Sequence, residues 1–124
     1  MIAICRGILE PLQWTVTPRL KLSNPPGYVD VHAERERDRL VIQLKSTLRP
    51  ESVSEVHNHN TDIIAGIEQA YRARAELGED VTAVAITDGY RGDYATWRIA
   101  LDRQVAIGTL EDVEAIAREP GGGL

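Results

Sequence analysis

Asp30, Gln43 and Lys45 bring a carboxylate, an amide carbonyl and an ammonium group into one short stretch of the chain. Carboxylate and amide oxygens are ligands that suit Mg²⁺ or Mn²⁺. A metal ion held in this way polarises a phosphoryl oxygen, and a nearby ammonium group orients water or stabilises developing negative charge. These residue types are therefore suited to hold a divalent metal ion beside a positively charged group.

A β-hairpin is the element that would position these side chains. Residues 29–34 and 40–45 alternate between apolar and polar types, with a charged turn between them, which is the period of half-buried strands. The apolar faces of the two strands stay on one side only if the numbers of each directly opposed pair of residues sum to an odd value. In such a register Asp30 lies opposite Gln43 or opposite Lys45. The apolar face of the first strand is predicted to contain Val29, Val31 and Ala33.

The segment GYVDVHAERERDRLVIQLKST resembles the core of the PD-(D/E)xK phosphodiesterase superfamily, which includes many restriction endonucleases, junction resolvases and repair nucleases. In that superfamily an Asp near the end of one strand precedes an acidic residue or Gln, placed two positions before a Lys on the next strand. Asp30, Gln43 and Lys45 match these positions, with Gln at the acidic one, and the resemblance covers about residues 25–87. It implies an α/β, restriction endonuclease-like fold with a mixed central sheet flanked by helices.

The resemblance also implies a set of functional residues. Asp30, Gln43 and Lys45 would be catalytic, and the metal would be held by Asp30, Gln43 and the backbone carbonyl of Leu44. Because the neutral Gln43 removes one negative charge, Glu10 is the family-like candidate for a further carboxylate. The implied activity is a Mg²⁺-dependent or Mn²⁺-dependent nuclease acting on DNA rather than RNA.

Two side chains near this hairpin are candidates for substrate binding. His32 is expected on the same face as Asp30, and Gln69 on the flank of a following helix. The commoner explanation for His32 is an ordinary polar strand position, and for Gln69 an exposed position on a helix. The run His57-Asn58-His59-Asn60 is predicted as a loop that ends in a helix cap.

The remaining pattern alternates helices and strands. Pro18 favours an edge position for the first strand, and a turn is expected at Asn24–Gly27. The other predicted elements are a helix over 2–12, a strand over 14–22, a helix from about Thr61 to Gly78, a doubly buried strand over 81–87, an ambiguous segment over 93–101, a strand over 104–107 and a helix capped by Thr109.

Composition limits the remaining possibilities. The 124 residues, 43% apolar, fit one domain over 1–119 with a flexible tail at 120–124. A single cysteine, Cys5, excludes an internal disulfide. No apolar run approaches the roughly 20 residues that span a bilayer, and no signal peptide is evident, so a cytoplasmic protein without membrane contact is expected.

The net charge of the chain limits how it would bind nucleic acid. The chain has 14 basic and 19 acidic residues, a net charge of -5, so nucleic-acid binding would need a local patch. A homodimer or a fused or separate partner would then supply the grip on substrate. The net charge and Gln43 also favour an alternative, a catalytically inactive domain of this fold that binds proteins or nucleic acid. A third alternative is an unrelated α+β scaffold with a charged surface hairpin.

Overall fold

The structure is a computed structural model that describes residues 1–23, 26–47 and 51–119. The predicted tail at 120–124 lies outside these ranges. Short 3₁₀ turns follow the first helix and precede the last one. The elements are α1 (Ile2–Leu9), β1 (Thr15–Ser23), β2 (Pro26–Arg35), β3 (Asp38–Lys45), α2 (Val53–Leu77), β4 (Thr82–Thr87), α3 (Tyr94–Arg103), β5 (Ala106–Thr109) and α4 (Val113–Arg118).

One mixed sheet contains the five described strands in the order β1-β2-β3-β4-β5. β1, β2 and β3 form an antiparallel meander, whereas β4 and β5 run parallel to β3. The predicted hairpin register is confirmed, because Val31 lies opposite Ile42 and this pairing belongs to the series with odd sums. The predicted α/β class with a mixed sheet is likewise confirmed.

Helices cover both faces of the sheet. α2 and α3 pack on one face against a core that includes Val41, Ala83 and Ala85. α1 and α4 pack on the other face, which includes Ile42 and Val84. The core is therefore two apolar layers, and β4 is buried on both sides, as its continuous apolar run predicted.

The antiparallel ladders on both sides of β2 are interrupted at Asp30. Towards β1, pairing continues on either side of Arg19 and Asp30 but omits these two residues. Arg19 there has a left-handed backbone with φ of 53°. Towards β3, the ladder in the described residues ends at the pair Val31–Ile42. Asp30 is thus the point at which β2 turns away from β3.

This interruption overturns part of the predicted facial pattern. Val29 packs in the α2 layer, whereas Val31 and Ala33 pack in the α1 layer, so the three residues do not share one face. The strand changes face because the pairing of β2 breaks at Asp30. Alternation assumes an unbroken ladder and therefore cannot show such a change.

The predicted start of α2 near Thr61 is wrong. The helix begins at Val53, and its N-cap Ser52 accepts a hydrogen bond from the Glu55 backbone N–H at 3.1 Å. The Glu55 carboxylate in turn accepts one from the Glu51 N–H at 2.7 Å. These bonds satisfy N–H groups of the first turn, so the run 57–60 is helical and not a loop. The predicted end at Gly78 is confirmed.

Smaller differences concern turns and short strands. The ambiguous segment over 93–101 is helical, and β5 begins two residues later than predicted. Asn24, Pro25 and Pro50 lie outside the described ranges, while Pro26 and Gly27 already belong to β2. The edge position of β1 and the Thr109 cap are confirmed. None of the helices in the described ranges has the length and apolar character needed to cross a bilayer.

Candidate active site

The hairpin formed by β2 and β3 has two ends of different structure. We call the part from the pair Val31–Ile42 to the turn the closed end, because its ladder is continuous. We call residues 29–30 of β2 and 43–45 of β3 the open end, because side chains there replace the ladder. The three residues singled out from the sequence all belong to the open end.

The Asp30 carboxylate occupies a place that a backbone carbonyl would otherwise fill. In a continued ladder Leu44 would lie opposite Val29, but its N–H donates to Oδ2 of Asp30 at 2.8 Å. The N–H and C=O of one strand residue point towards the same neighbouring strand, so the Leu44 carbonyl also points to the gap beside Asp30. No described residue donates a hydrogen bond to Oδ1 of Asp30.

Gln43 is buried, and both ends of its amide are engaged. Its Oε1 accepts from the Asp30 N–H at 2.8 Å, and its Nε2 donates to Oε1 of Gln69 at 3.1 Å. The Asp30 N–H requires an acceptor, which fixes the direction of the Gln43 amide. An amide oxygen has two lone pairs, so Oε1 keeps one acceptor position beyond the bond to Asp30.

The side chain of Lys45 reaches the same region by passing along the surface of α2. Its side chain lies over Gly66, where a Cβ atom would stand 3.1 Å from Cγ and 3.3 Å from Cε of Lys45. A Cβ atom at position 66 would therefore force the Lys45 side chain to shift by a few tenths of an ångström. Within the described residues, the Lys45 ammonium group forms no ion pair or hydrogen bond, so it is available to water or phosphate.

Two residues of this region were not singled out from the sequence. Gly66 is one, and its only signal was a glycine in the interior of a long helix. Thr87 is the other: it pairs with Lys45 across β3 and β4, and its buried Oγ1 has no partner among the described residues. A buried hydroxyl without a partner is unusual, but a Thr at the end of an apolar strand gives no sequence signal of it.

Of the two substrate-binding candidates, the structure joins one to the site. Gln69 contacts the site through Gln43. His32 lies within the closed end, buried, with Nε2 3.6 Å from Oε1 of Glu34 and without a hydrogen bond in the described structure. Burial lowers the pKa of His32, an effect that Glu34 opposes and Arg39 reinforces.

Glu10 follows α1 and pairs with Arg6 at 2.8 Å. The carbonyl of Leu12 accepts a hydrogen bond from Arg35, so this segment lies near the turn end of β2 and not near Asp30. No contact joins Glu10 to the open end in the described residues. Glu10 was a candidate through the resemblance, and the spacing of the residues gave no indication of where its side chain lies.

α1 lies behind the site. Cys5 is fully buried in the α1 layer. Burial raises the pKa of its thiol to about 11, and the negative charge of Asp30 adds to the rise. Cys5 is therefore a neutral core residue, and the Asp30 carboxylate is close enough to act on it.

The donor set is chemically suited to a hard divalent cation. Asp30, Gln43 and the Leu44 carbonyl offer oxygen atoms only, which Mg²⁺ and Mn²⁺ prefer. Asp30 supplies the one negative charge among these donors. Within the described ranges no group of three or more His, Cys, Asp or Glu side chains could hold a metal ion. The residues thus fit a weak oxygen-ligand site and not a zinc site.

Comparison with known proteins gives matches to the fold of this chain but none to its sequence. The sequence matches no protein-family model and no curated protein. The structure is similar to an XisH family protein from Nostoc punctiforme, with a TM-score of 0.60, 19% identity, and coverage of 90% of this chain and 92% of that one. The chain has a restriction endonuclease-like fold.

Two further solved structures share the architecture. AF1548, described as a protein of unknown function, has a TM-score of 0.60 at 14% identity over 87% of this chain. VC1899 from Vibrio cholerae has a TM-score of 0.53 at 11% identity over 94% of this chain. The chain spans 56% of the AF1548 chain and 30% of the VC1899 chain. At these identities the likeness establishes the fold alone.

Proposed function

We propose that this protein is a metal-dependent nuclease that hydrolyses phosphodiester bonds, using the Gln variant of the PD-(D/E)xK motif. The observation that carries the proposal is the open end of the hairpin. There Asp30 and Gln43 hydrogen-bond to each other's strands, while Lys45 lies beside them without an ion pair in the described structure. The restriction endonuclease-like fold supports the same activity.

Three oxygen donors would hold Mg²⁺ or Mn²⁺: Oδ1 of Asp30, Oε1 of Gln43 and the backbone carbonyl of Leu44. The bound cation would polarise a phosphoryl oxygen. Gln69 keeps the Gln43 oxygen directed at Asp30 by accepting the hydrogen bond from Nε2. The backbone N–H of Leu44 fixes the other carboxylate oxygen, so both side-chain donors are oriented before a ligand arrives.

Lys45 is the group that would act on the reacting atoms. Its ammonium group would orient the attacking water and stabilise negative charge on the phosphoryl group. Gly66 leaves space for the aliphatic part of the side chain, which fixes the approach of the ammonium group from the α2 side. The resemblance to restriction endonucleases favours DNA as substrate over RNA.

One observation favours a second candidate, a catalytically inactive domain that binds nucleic acid or protein. The neutral Gln43 leaves Asp30 as the one carboxylate among the proposed donors. A site of low charge binds divalent cations weakly. In this alternative the hydrogen bonds at the open end serve only to close the interrupted ladder.

A cleavage assay separates the two candidates. Supercoiled plasmid, single-stranded DNA and RNA are incubated with the protein in Mg²⁺, Mn²⁺ or excess chelator. We expect metal-dependent cleavage of DNA that Asp30→Asn abolishes and that Lys45→Ala lowers by about 10²-fold to 10⁴-fold. The chain has only two lysines, and Lys21→Ala, at an exposed position on β1, is the matched control that should retain activity.

The same assay contains the contradicting results. Cleavage that persists in both site variants would assign the activity to a contaminant or to another site. Absence of cleavage in every metal, with nucleic-acid binding unchanged by Asp30→Asn, would support the inactive binding domain.

A further inference from the structure

The solvent face of α3 exposes three large apolar side chains in one stripe. Tyr94, Trp97 and Leu101 are 71%, 50% and 76% exposed and follow one another at helical spacing. The Trp97 indole N–H donates to the Arg91 carbonyl at 2.9 Å, which holds the ring in place. A rigid apolar stripe of this kind marks an interaction surface.

A groove of about 660 Å³ lies beside the stripe. Trp97, Ala100 and Leu101 form one wall, residues 81–83 and 104–107 line most of the rest, and Arg74 and Arg91 also border the groove. The groove therefore lies between α3 and the β5 edge of the sheet. Its size would accommodate large side chains from another surface.

The two edges of the sheet differ in how they are protected. β1 carries Pro18, the left-handed Arg19 and Lys21, which are features that prevent a further strand from pairing. β5, the other edge, consists of Ala106–Thr109 and has neither a charge nor a proline. The four-residue length of β5 itself limits pairing with a further strand, so the apolar stripe and the groove beside it are the features that indicate a covered surface.

Two exposed charged residues on α3 would be complementary to the same two residues on a second copy of the helix. Arg98 and Asp102 lie four residues apart, both exposed, and neither has a salt bridge or side-chain hydrogen bond in the described structure. If two copies of α3 pack antiparallel about a two-fold axis near Ala100, Arg98 of each copy lies opposite Asp102 of the other. Such reciprocity is what an isologous interface requires.

The other arginines in this region are already occupied, which argues against nucleic acid as the occupant. Arg91 pairs with Asp112 at 3.1 Å and Arg103 with Glu68 at 2.9 Å. Arg74 is buried and donates to backbone carbonyls near the end of α3. With Asp102 on the same face, the surface offers little positive charge to a phosphate backbone.

We propose that a second copy of this chain docks on α3, with the two helices antiparallel about a two-fold axis at the level of Ala100, so that Leu101 of each copy lies beside the axis, and with the groove beside β5 covered. The proposal goes beyond the nuclease function and does not depend on it. It assigns to this surface the homodimer that is one of the partners expected from the sequence.

Sedimentation velocity on the intact chain, from about 1 to 100 μM, tests the proposal. We expect a concentration-dependent dimer. Leu101→Asp should raise its dissociation constant roughly 30-fold or more, because it places a charge in the apolar contact. Val53→Asp is the matched control, since Val53 is 87% exposed in the first turn of α2, and it should leave the constant unchanged.

A charge exchange tests the symmetry. Arg98→Glu alone and Asp102→Arg alone should each weaken the dimer about tenfold or more, because like charges would then face each other. The double variant should restore it. A monomer at every concentration would overturn the proposal, as would a dimer unaffected by Leu101→Asp or a double variant as weak as the single ones. If the original chain is a monomer at every concentration and Leu101→Asp abolishes its binding to nucleic acid, the occupant of this surface is nucleic acid instead.

Discussion

Asp30 and His32 lie two residues apart on β2, yet the structure uses them in opposite ways. At the open end, the Asp30 carboxylate accepts the Leu44 N–H, and the Asp30 N–H donates to Gln43. At the closed end, His32 is buried between paired strands and its Nε2 has no hydrogen bond among the described residues. Both residues were expected on one polar face.

The difference shows how a strand can make a site. Where the ladder is continuous, the backbone groups hydrogen-bond to each other, and a buried polar side chain finds no backbone partner. Where the ladder breaks, backbone N–H groups orient polar side chains, as at Asp30 and Gln43. Variants at the two ends should therefore differ in the sign or the nature of their effect.

Among the variants that compare the two ends, the largest expected effect is on nuclease activity. It should follow when a side chain at position 66 fills the space that the Lys45 side chain occupies. Gly66→Val should lower cleavage about 10²-fold, because a displaced ammonium group no longer meets the reacting atoms. The measurement is the initial rate on plasmid DNA, with circular dichroism to confirm folding. Ala65→Val, at the neighbouring exposed position of α2, should keep its rate. Equal rates for Gly66→Val and the original protein would mean that the Lys45 side chain keeps its approach to the site when position 66 carries a side chain.

Removal of the Asp30 carboxylate should destabilise the fold. Asp30→Ala leaves the Leu44 N–H without its acceptor, at a cost of about 1–3 kcal/mol in the free energy of unfolding. Asp30→Asn keeps an acceptor oxygen and should cost less. Urea denaturation measures both. A fully stable Asp30→Ala variant would indicate that the backbone at the open end pairs in some other way.

Addition of a charge at the open end should strengthen metal binding. Gln43→Glu provides a second carboxylate, and we expect the dissociation constant for Mn²⁺ to fall about tenfold, since ligand charge sets the affinity of such sites. Isothermal titration calorimetry measures it, with Glu34→Gln at the closed end as the control. An unchanged affinity for Gln43→Glu would exclude this position from the metal site.

The smallest effect concerns pH and the closed end. Burial lowers the pKa of His32 in the folded state, so the unfolded chain binds a proton more readily. Stability should therefore fall as pH drops through the unfolded value of about 6.5 and level off below the folded pKa. His32→Leu should remove this part of the pH dependence in urea midpoints measured from pH 8 to about 5. An identical pH profile for His32→Leu would contradict the assignment.

Much of the architecture was predictable because it depends on periodicity. The alternation in 29–34 and 40–45 gave the hairpin and its odd-sum register, and the apolar run before Asp88 gave a doubly buried strand. These signals depend on which side chains are buried, and burial follows directly from residue type. The fold class follows from the order of these elements.

The details of the site were less predictable because they depend on irregular backbone. The face change at Asp30 accompanies the left-handed Arg19 on a neighbouring strand, and no local pattern in β2 reveals it. The early start of α2 had a signal in Ser52 and Glu55, but the polar residues after it resemble a loop. The contact of Gln43 with Gln69 joins distant elements, so spacing alone could only place Gln69 on a flank.

A Mg²⁺ titration followed by amide resonances in NMR spectra tests the central claim most directly. The account predicts that Mg²⁺ shifts the backbone amides of Asp30, Leu44 and Lys45 and the side-chain amide of Gln43. Those of Ala33 and Leu40 at the closed end should stay in place, and Asp30→Asn should abolish the shifts. Shifts confined to other parts of the molecule, or the same shifts in Asp30→Asn, would contradict a metal site at the open end of the hairpin.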